Sequence, residues 1–498
     1  MWFITENLTS NGSAYYLALF LILLSTIYYF VRSRGLPPGP VGLPYIGYWP
    51  FFDTSTIHLQ LLKMRKKYGD IFSFTVTGRL YISLCSYNVI REVDLKKPQD
   101  FDTRASGFTL LSFFFQEGFA FANGEEWKIQ RKYYIQQLKE LGMTTFKEER
   151  KGPIYEAVND CIKDLEKSGG KPVDLTEIIA KGSNKILRTT LFAGEEDFTC
   201  EDIKDVCHSY EFTLQNMTGP NLLLIGDFAK YFIHPFTKGQ RLAVEHFNIM
   251  VKNIFKMLNK HKSSFSENNL RNDIFDRYFK ERLDRLARND PTAQYFTDRA
   301  LVGAIFQFIG DGVLTVGVFV CAFLKALLDY PEEQEKIYNE LIDVVGTDRD
   351  PGIEDKSRLP YTNAFILEVT RVCEVFPFIP ELECTRETVI QGYRIPKGSV
   401  MLVNTWAAHH DPNEYEEPHK FNPSRYIPEK GKKKPEAPIL FGIGRRSCIG
   451  EGYAMAQTFL FLTTIVKHFR LTKATDEDKN LLFLVGKMEV CAHPRNPA

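Results

Sequence analysis

Apolar and polar positions change register several times along the chain, and each register predicts an element. Between residues 58 and 69, Leu59, Leu61, Leu62 and Met64 are spaced among basic residues as on one helix. Residues 71–85 hold two short apolar runs, Phe72, Phe74 and Val76 before Gly78-Arg79, then Tyr81, Ile82 and Leu84, which predict a hairpin. Helical spacing prevails beyond residue 120, as in 274–288, where Phe275, Phe279, Leu283 and Leu286 recur at steps of three and four. The polar stretch 260–269 predicts a loop, and strand signals return at 388–404 around Gly392 and Pro396-Lys397-Gly398. No segment repeats, so the predicted fold is mainly α with small β-sheets.

Two apolar runs are longer. Ala14 to Val31 is free of charge over eighteen residues, enough to cross a bilayer as one helix, with Tyr15, Tyr16, Tyr28 and Tyr29 at its ends. The rival, a cleaved signal peptide, lacks a basic segment before the run and a small-residue cleavage site after it. Arg32 and Arg34 follow the run, which places residues 1–13 in the lumen and the bulk of the chain in the cytosol. Asn7 and Asn11 head glycosylation sequons on that lumenal side. Residues 32–44, with Leu36-Pro37-Pro38-Gly39-Pro40, read as a stiff linker, and 45–498 as one folded body. The second run, Ala300 to Leu328, is apolar on nearly every face around Asp311. It suits either a second span or a helix buried in a core, and Gln307 and the glycines favour the buried helix.

Composition narrows the function. Lys+Arg and Asp+Glu are 62 each, without the basic excess expected for gripping nucleic acid. Nine cysteines, scattered and without a CxxC pair, point to a reducing compartment. Among them Cys448 stands apart: Phe441-Gly442-Ile443-Gly444-Arg445-Arg446-Ser447-Cys448-Ile449-Gly450 sets one thiol in a glycine-punctuated, cationic loop just before an apolar helical run. A helix start and nearby guanidinium charge both stabilise a thiolate.

That loop resembles the haem-binding pattern Phe-x-x-Gly-x-Arg-x-Cys-x-Gly of the cytochrome P-450 superfamily, animal microsomal type, at every fixed position: Phe441, Gly444, Arg446, Cys448 and Gly450. Glu368-Val369-Thr370-Arg371 and Phe421-Asn422-Pro423-Ser424-Arg425-Tyr426 resemble the family's Glu-Arg-Arg network, and Trp127-Lys128-Ile129-Gln130-Arg131 its Trp-x-x-x-Arg helix. The resemblance spans roughly 36–498. It implies haem b with Cys448 as axial iron ligand, Trp127, Arg131 and Arg446 on the propionates, and a structural network of Glu368, Arg371 and Arg425. It also makes His409-His410-Asp411 structural rather than a metal cluster.

Two positions depart from the pattern. The central helix of the family carries Ala/Gly-Gly-x-Asp/Glu-Thr, whose acid and alcohol relay protons for dioxygen reduction; anchored on Gly310, the acid and alcohol positions hold Gly312 and Val313. Asp311 and Thr315 are the nearest relay groups, and a bulge in the helix would be needed to make them equivalent. Leu382 stands where a His or Arg usually meets a propionate. The resemblance therefore implies a monooxygenase that acts on a lipophilic small molecule at the endoplasmic reticulum membrane, with electrons from NADPH through a flavoprotein reductase. The alternatives are a haem-thiolate isomerase or lyase for a lipid peroxide, and a haem sensor without turnover. Lys128, Lys132, Arg445 and Lys432-Lys433-Lys434 could form the reductase-facing surface. By analogy the substrate wall draws on Phe113, Phe114, Phe115, Ile309, Val313 and Phe378, with Phe108 nearby and Leu222–Ile225 as an entry.

Overall fold

The computed structural model describes residues 34–53, 56–105, 118–143, 152–194, 238–372, 377–428, 433–475 and 487–495, with scattered positions within 16–23, at 205–213 and at 431. The anchor run 14–31 and both sequons fall almost wholly outside the described residues; Tyr16, Leu19, Phe20 and Leu23, which are described, are helical and exposed.

Helices make up most of the body. The expected hairpin is present as β1 (Ile71–Val76) and β2 (Arg79–Leu84), paired antiparallel across Thr77-Gly78. The later strands are β3 (Thr103–Arg104), β4 (Val173–Asp174), β5 (Leu382–Glu383), β6 (Thr388–Ile390), β7 (Tyr393–Ile395), β8 (Val400–Val403), β9 (Phe469–Lys473) and β10 (Glu489–Pro494). They form a five-stranded sheet ordered β1-β2-β8-β5-β3, a three-stranded sheet β4-β10-β9 and the hairpin β6-β7. Among the described strands only β2 and β8 pair parallel; β3 and β5 pair antiparallel, with Arg104 opposite Leu382.

The long apolar run 300–328 is one helix, Asp298–Asp329, threaded through the largest core cluster. It is the one helix among the described residues long and apolar enough to cross a membrane. It packs instead on the helices Leu175–Leu191, Lys238–Ser264, Pro360–Val372 and Glu451–His468, and every residue from Ala300 to Ile309 is buried. The partners on all sides explain an apolar surface without a polar face. At Gly310–Thr315 the helix widens into a π-type turn with i→i+5 bonding, which shifts the register of the residues beyond it.

Two boundaries differ from expectation. The stretch 260–264 continues the helix Lys238–Ser264: its polar residues lie on the solvent side, while His261 is buried and Ser263 and Ser264 return hydroxyl bonds to the last turn. The proline-rich linker is part of the body, because Ser73 N–H donates to Pro38 O at 2.8 Å, Ser73 Oγ–H to Pro37 O at 2.7 Å and Arg394 N–H to Gly35 O at 2.7 Å. Proline lacks a donor but keeps its carbonyl, so such a segment can still be stitched along a sheet through its acceptors.

Candidate functional site: a cysteine facing an internal space

The loop 441–450 is shaped by local chemistry. The Cys448 N–H donates to Phe441 O at 2.8 Å, and the Phe441 ring meets Phe319 of the central helix edge-on at 5.4 Å, which docks the loop on that helix. Gly444 has φ +74°, and a Cβ there would lie 2.5 Å from Asp94 O, so no other residue lets the loop close on the turn Glu92–Lys96. The Gly450 N–H donates to Cys448 Sγ at 3.3 Å, and the helix Glu451–His468 begins one residue later with its positive end beside the sulfur.

Cys448 and Asp311 lie deep within the body, yet both side chains have open surface. The Asp311 charge on the central helix is near enough to act on the Cys448 thiol of the loop. Burial pushes the thiol up to about 11 against the pull of the Gly450 N–H and Arg131. In the metal-free site the helix end and the cations do not offset desolvation, and a bound metal ion would favour the thiolate expected of the loop.

Beside the cysteine three guanidiniums are gathered. Arg446 lies 3.7 Å from the centre of the Trp127 ring, its Nη2 donates to Ala122 O and Asn123 Oδ1 at 2.9 Å each, and its Nη1 is buried with no hydrogen-bond partner. Arg131 donates to Ser447 O at 2.6 Å, and Arg104 to Arg446 O at 3.4 Å. Burial, then the neighbouring Arg104, then Arg131 bring Arg446 down to about 8, with Asp102 pulling the other way; burial brings Arg104 down to about 10. Positive charge is thus concentrated on this side, with Asp94 and Glu381 acting on Arg104 and Asp102 on Arg446.

Arg104 escaped the sequence reading. It sits in a strand of two residues with no motif around it, and its only mark is its register opposite the buried Leu382. The cation missing at Leu382 therefore has a counterpart on the facing residue.

Glu368 and Arg371 are both 0% exposed; the carboxylate takes Arg371 Nε and Nη2 at 2.8 Å each, together with Asn422 N–H at 2.8 Å and Arg425 Nε at 3.2 Å. Arg371 also donates to His409 O at 2.9 Å and Pro418 O at 2.7 Å, tying the helix Pro360–Val372 to the segment before the cysteine loop. His409, His410 and Asp411 point to separate partners: Ile439 N–H donates to His409 Nε2, His410 Nδ1 lies 2.9 Å from Trp406 O, and Asp411 pairs with Arg65 at 2.6 Å.

The remaining expected residues divide. Phe108, Phe113, Phe114, Phe115 and Leu222–Ile225 lie outside the described residues. Ile309 and Val313, at 0% and 2% exposed, are packed in the core, whereas Asp311 on the π-turn is exposed and Leu314 and Thr315 are partly buried. Phe378 is partly buried against the cluster under the five-stranded sheet. Lys128 and Lys132 are exposed, Lys128 pairing with Glu125 at 2.6 Å; Arg445 pairs with Asp102 at 3.1 Å and Lys433 with Glu414 at 3.5 Å.

The family model for Cytochrome P450 matches residues 37–491. The chain belongs to the cytochrome P450 family. Among curated relatives it is 30% identical to Cytochrome P450 2F3 of Capra hircus over 464 residues, covering 91% of each chain. It is 29% identical to Cytochrome P450 2S1 of Mus musculus, covering 88% of this chain and 87% of the relative, and 29% identical to Cytochrome P450 2J1 of Oryctolagus cuniculus, covering 94% and 93%. The chain is accordingly an oxidoreductase of the cytochrome P450 monooxygenase class, a class that works with haem on a cysteine thiolate.

The residues present fit that group. A haem brings two carboxylates to a cluster of three guanidiniums with an orphaned Arg446 Nη1, and an iron to Cys448, the one exposed sulfur among the described cysteines.

Proposed function

We propose that the chain is a monooxygenase of the endoplasmic reticulum membrane that inserts one oxygen atom from dioxygen into a lipophilic small molecule, using electrons from NADPH delivered by a flavoprotein reductase. The observation that carries this reading is the approach of Cys448 to Asp311 of the central helix, with Arg104 and Arg131 close enough for the Cys448 charge to act on both and Arg446 beside them. Haem b would be held by Cys448 through its iron, by Trp127, Arg131, Arg446 and Arg104 on the propionate side, and between Phe441, Gly444 and Gly450 of the loop. When bound, the haem supplies dioxygen activation, with thiolate donation favouring O–O cleavage.

The protein's own part is to hold substrate, exclude bulk water and deliver protons. Gly312 and Thr315 also fit the family's central element when it is read from Asp311: Asp311 then stands at the small first position, Leu314 at the acid and Thr315 at the alcohol. In this register the hydroxyl is kept, while the small first residue and the acid are replaced. Thr315 holds a water by its hydroxyl, and the Asp311 carboxyl, which burial pushes up to about 6 against the Tyr210 hydrogen bond, exchanges protons with it near neutral pH. An acid and a hydroxyl at the π-turn support the monooxygenase over the peroxide isomerase, which needs neither. Ala14–Val31 anchors the chain, residues 1–13 lie in the lumen, and the catalytic body from residue 45 onward faces the cytosol. Lys128, Lys132 and Arg445 present charge to the reductase.

Turnover of a panel of lipophilic compounds and lipid peroxides under labelled dioxygen, with and without reductase and NADPH, tests the proposal. Label in a product that requires reductase is expected; product from a peroxide without reductase would overturn it. For the cofactor cradle, Arg104→Met removes a charge but keeps the length, and should speed loss of haem to apomyoglobin about ten-fold or more. An unchanged rate would remove Arg104 from the cradle.

A further inference from the structure

The guanidiniums beside Cys448 already have carboxyl groups of the chain for company. Asp94 and Glu381 act on Arg104, while Asp102 acts on Arg446 and pairs with Arg445 at 3.1 Å. With Arg445 included, Arg104, Arg131, Arg445 and Arg446 face these three carboxyl groups, and two haem propionates would make five. Four cations against five anions leave one negative charge unmatched in the interior, where a lone carboxylate is costly. Uptake of one proton restores the balance.

Of the three, Asp94 has the least to hold its charge. Asp102 has its ion pair with Arg445, and Glu381 accepts a hydrogen bond from its own N–H. Asp94 is 9% exposed, and the Arg104 charge alone favours its ionised form; burial, against that pull, pushes it up to about 7. The other charged groups of its turn and of the neighbouring elements are engaged elsewhere: Arg91 with Glu436, Asp100 with Arg386, Glu92 with Gln391 and Lys97 with Val389 O, while Lys96 is exposed.

Asp94 also has a path to solvent. With Phe101, Leu382 and Arg446 it lines a cleft of about 190 Å³, counted with the solvent at its mouth, where Asp102 and the half-exposed Arg445 stand. Leu382 lies opposite Arg104 in the β3–β5 pairing, so the cleft leads from the exposed pair to the edge of the guanidinium cluster.

We propose that Asp94 couples haem retention to pH: its carboxyl holds a proton, drawn from solvent through the cleft, while propionates occupy the guanidiniums, and retention weakens when that proton is lost. The proposal rests on the cradle of Arg104, Arg131 and Arg446 for haem. Asp94 is a positioning residue, since it acts through Arg104. Below about pH 7 the carboxyl is neutral with or without haem, and retention is full. Propionates beside Arg104 strengthen its hold on the proton, so the loss comes on the alkaline side, as pH climbs past 7.

Transfer of haem from the full-length holoprotein to excess apomyoglobin, followed from about pH 6 to about pH 9, is the test. Wild type should lose haem roughly ten-fold faster at the alkaline end, the size of one unit of coupling between titrating and fixed charge. Asp94→Asn, of the same shape and without charge, should stay slow throughout and remove most of that rise. Titration of Cys448 is common to both proteins and cancels in their ratio. Asp94→Ala is a second variant, and the absorption of the reduced carbon-monoxide complex reports the native fold of each. A rise as steep in Asp94→Asn as in wild type would overturn the proposal; should neither variant fold, a wild-type rate that is flat or falls over this range would do the same. Arg104→Met separates the two levels. Faster haem loss near the acid end, where Asp94 is neutral, upholds the cradle whatever Asp94 does, while an unchanged rate at every pH removes the cradle and the proposal together.

Discussion

Cys448→Ala is expected to abolish the thiolate-type spectrum of the reduced carbon-monoxide complex and with it all reductase-dependent turnover. The side chain lost is the one exposed sulfur among the described cysteines; Cys85, Cys161, Cys321 and Cys384 are buried, and burial pushes Cys85 and Cys321 up to about 12. The loop itself should survive. Its closure rests on Cys448 N–H to Phe441 O and on Phe441 against Phe319, which are backbone and neighbour contacts that alanine keeps. The variant should therefore fold and retain part of its haem through the guanidinium side, but without sulfur ligation. Absorption spectra of the reduced protein with carbon monoxide decide it, and persistence of the thiolate-type spectrum in the variant would refute Cys448 as the ligand.

Glu368→Ala should have the largest effect on stability, a loss of about 3–5 kcal/mol, because it leaves the Arg371 and Arg425 guanidiniums beside an empty site in the interior. Domains are typically stable by only about 5–15 kcal/mol, so most of the haem-competent protein should be lost on expression or unfold well below the wild-type temperature. The contrast is Glu125→Ala, which breaks the exposed pair with Lys128 and should change stability by under about 1 kcal/mol. Denaturant melts of the two variants side by side check the claim; equal midpoints would mean that the buried network adds no more than a surface pair. The size of the effect comes from burial, since Glu368 and Arg371 are both wholly enclosed whereas the Glu125 and Lys128 side chains are 65% and 50% exposed.

The contrast between these pairs shows where a sequence stops being informative. Glu368-x-x-Arg371 and Glu125-x-x-Lys128 have the same spacing on a helix, and nothing local distinguishes them; only the carbonyls of His409 and Pro418 and the arrival of Arg425 make one a keystone. The resemblance singled out the first of them because it compared segments far apart in the chain. The central helix is the reverse case. Periodicity was sufficient to predict the helix, and its lack of a polar face was sufficient to suggest burial on all sides. Which of its residues keep open surface was not readable, because the π-turn at Gly310–Thr315 shifts the register, and Ile309 and Val313 go to the core while Asp311 stays exposed and Thr315 partly so.

Sequence alone determined what depends on spacing along the chain: the hairpin around Gly78, the long apolar helix, the cationic glycine loop carrying Cys448, and membership of a haem-thiolate family. Tertiary structure decided what depends on residues distant in the chain meeting in space. It set Arg104 opposite Leu382, put Tyr210 on Gly310 so that its hydroxyl reaches Asp311, and made burial outweigh the helix end at the free Cys448 thiol. Hydrophobic periodicity is a local property and survives in one dimension. Desolvation and charge pairing are fixed by what surrounds a group on every side, which only the folded chain supplies.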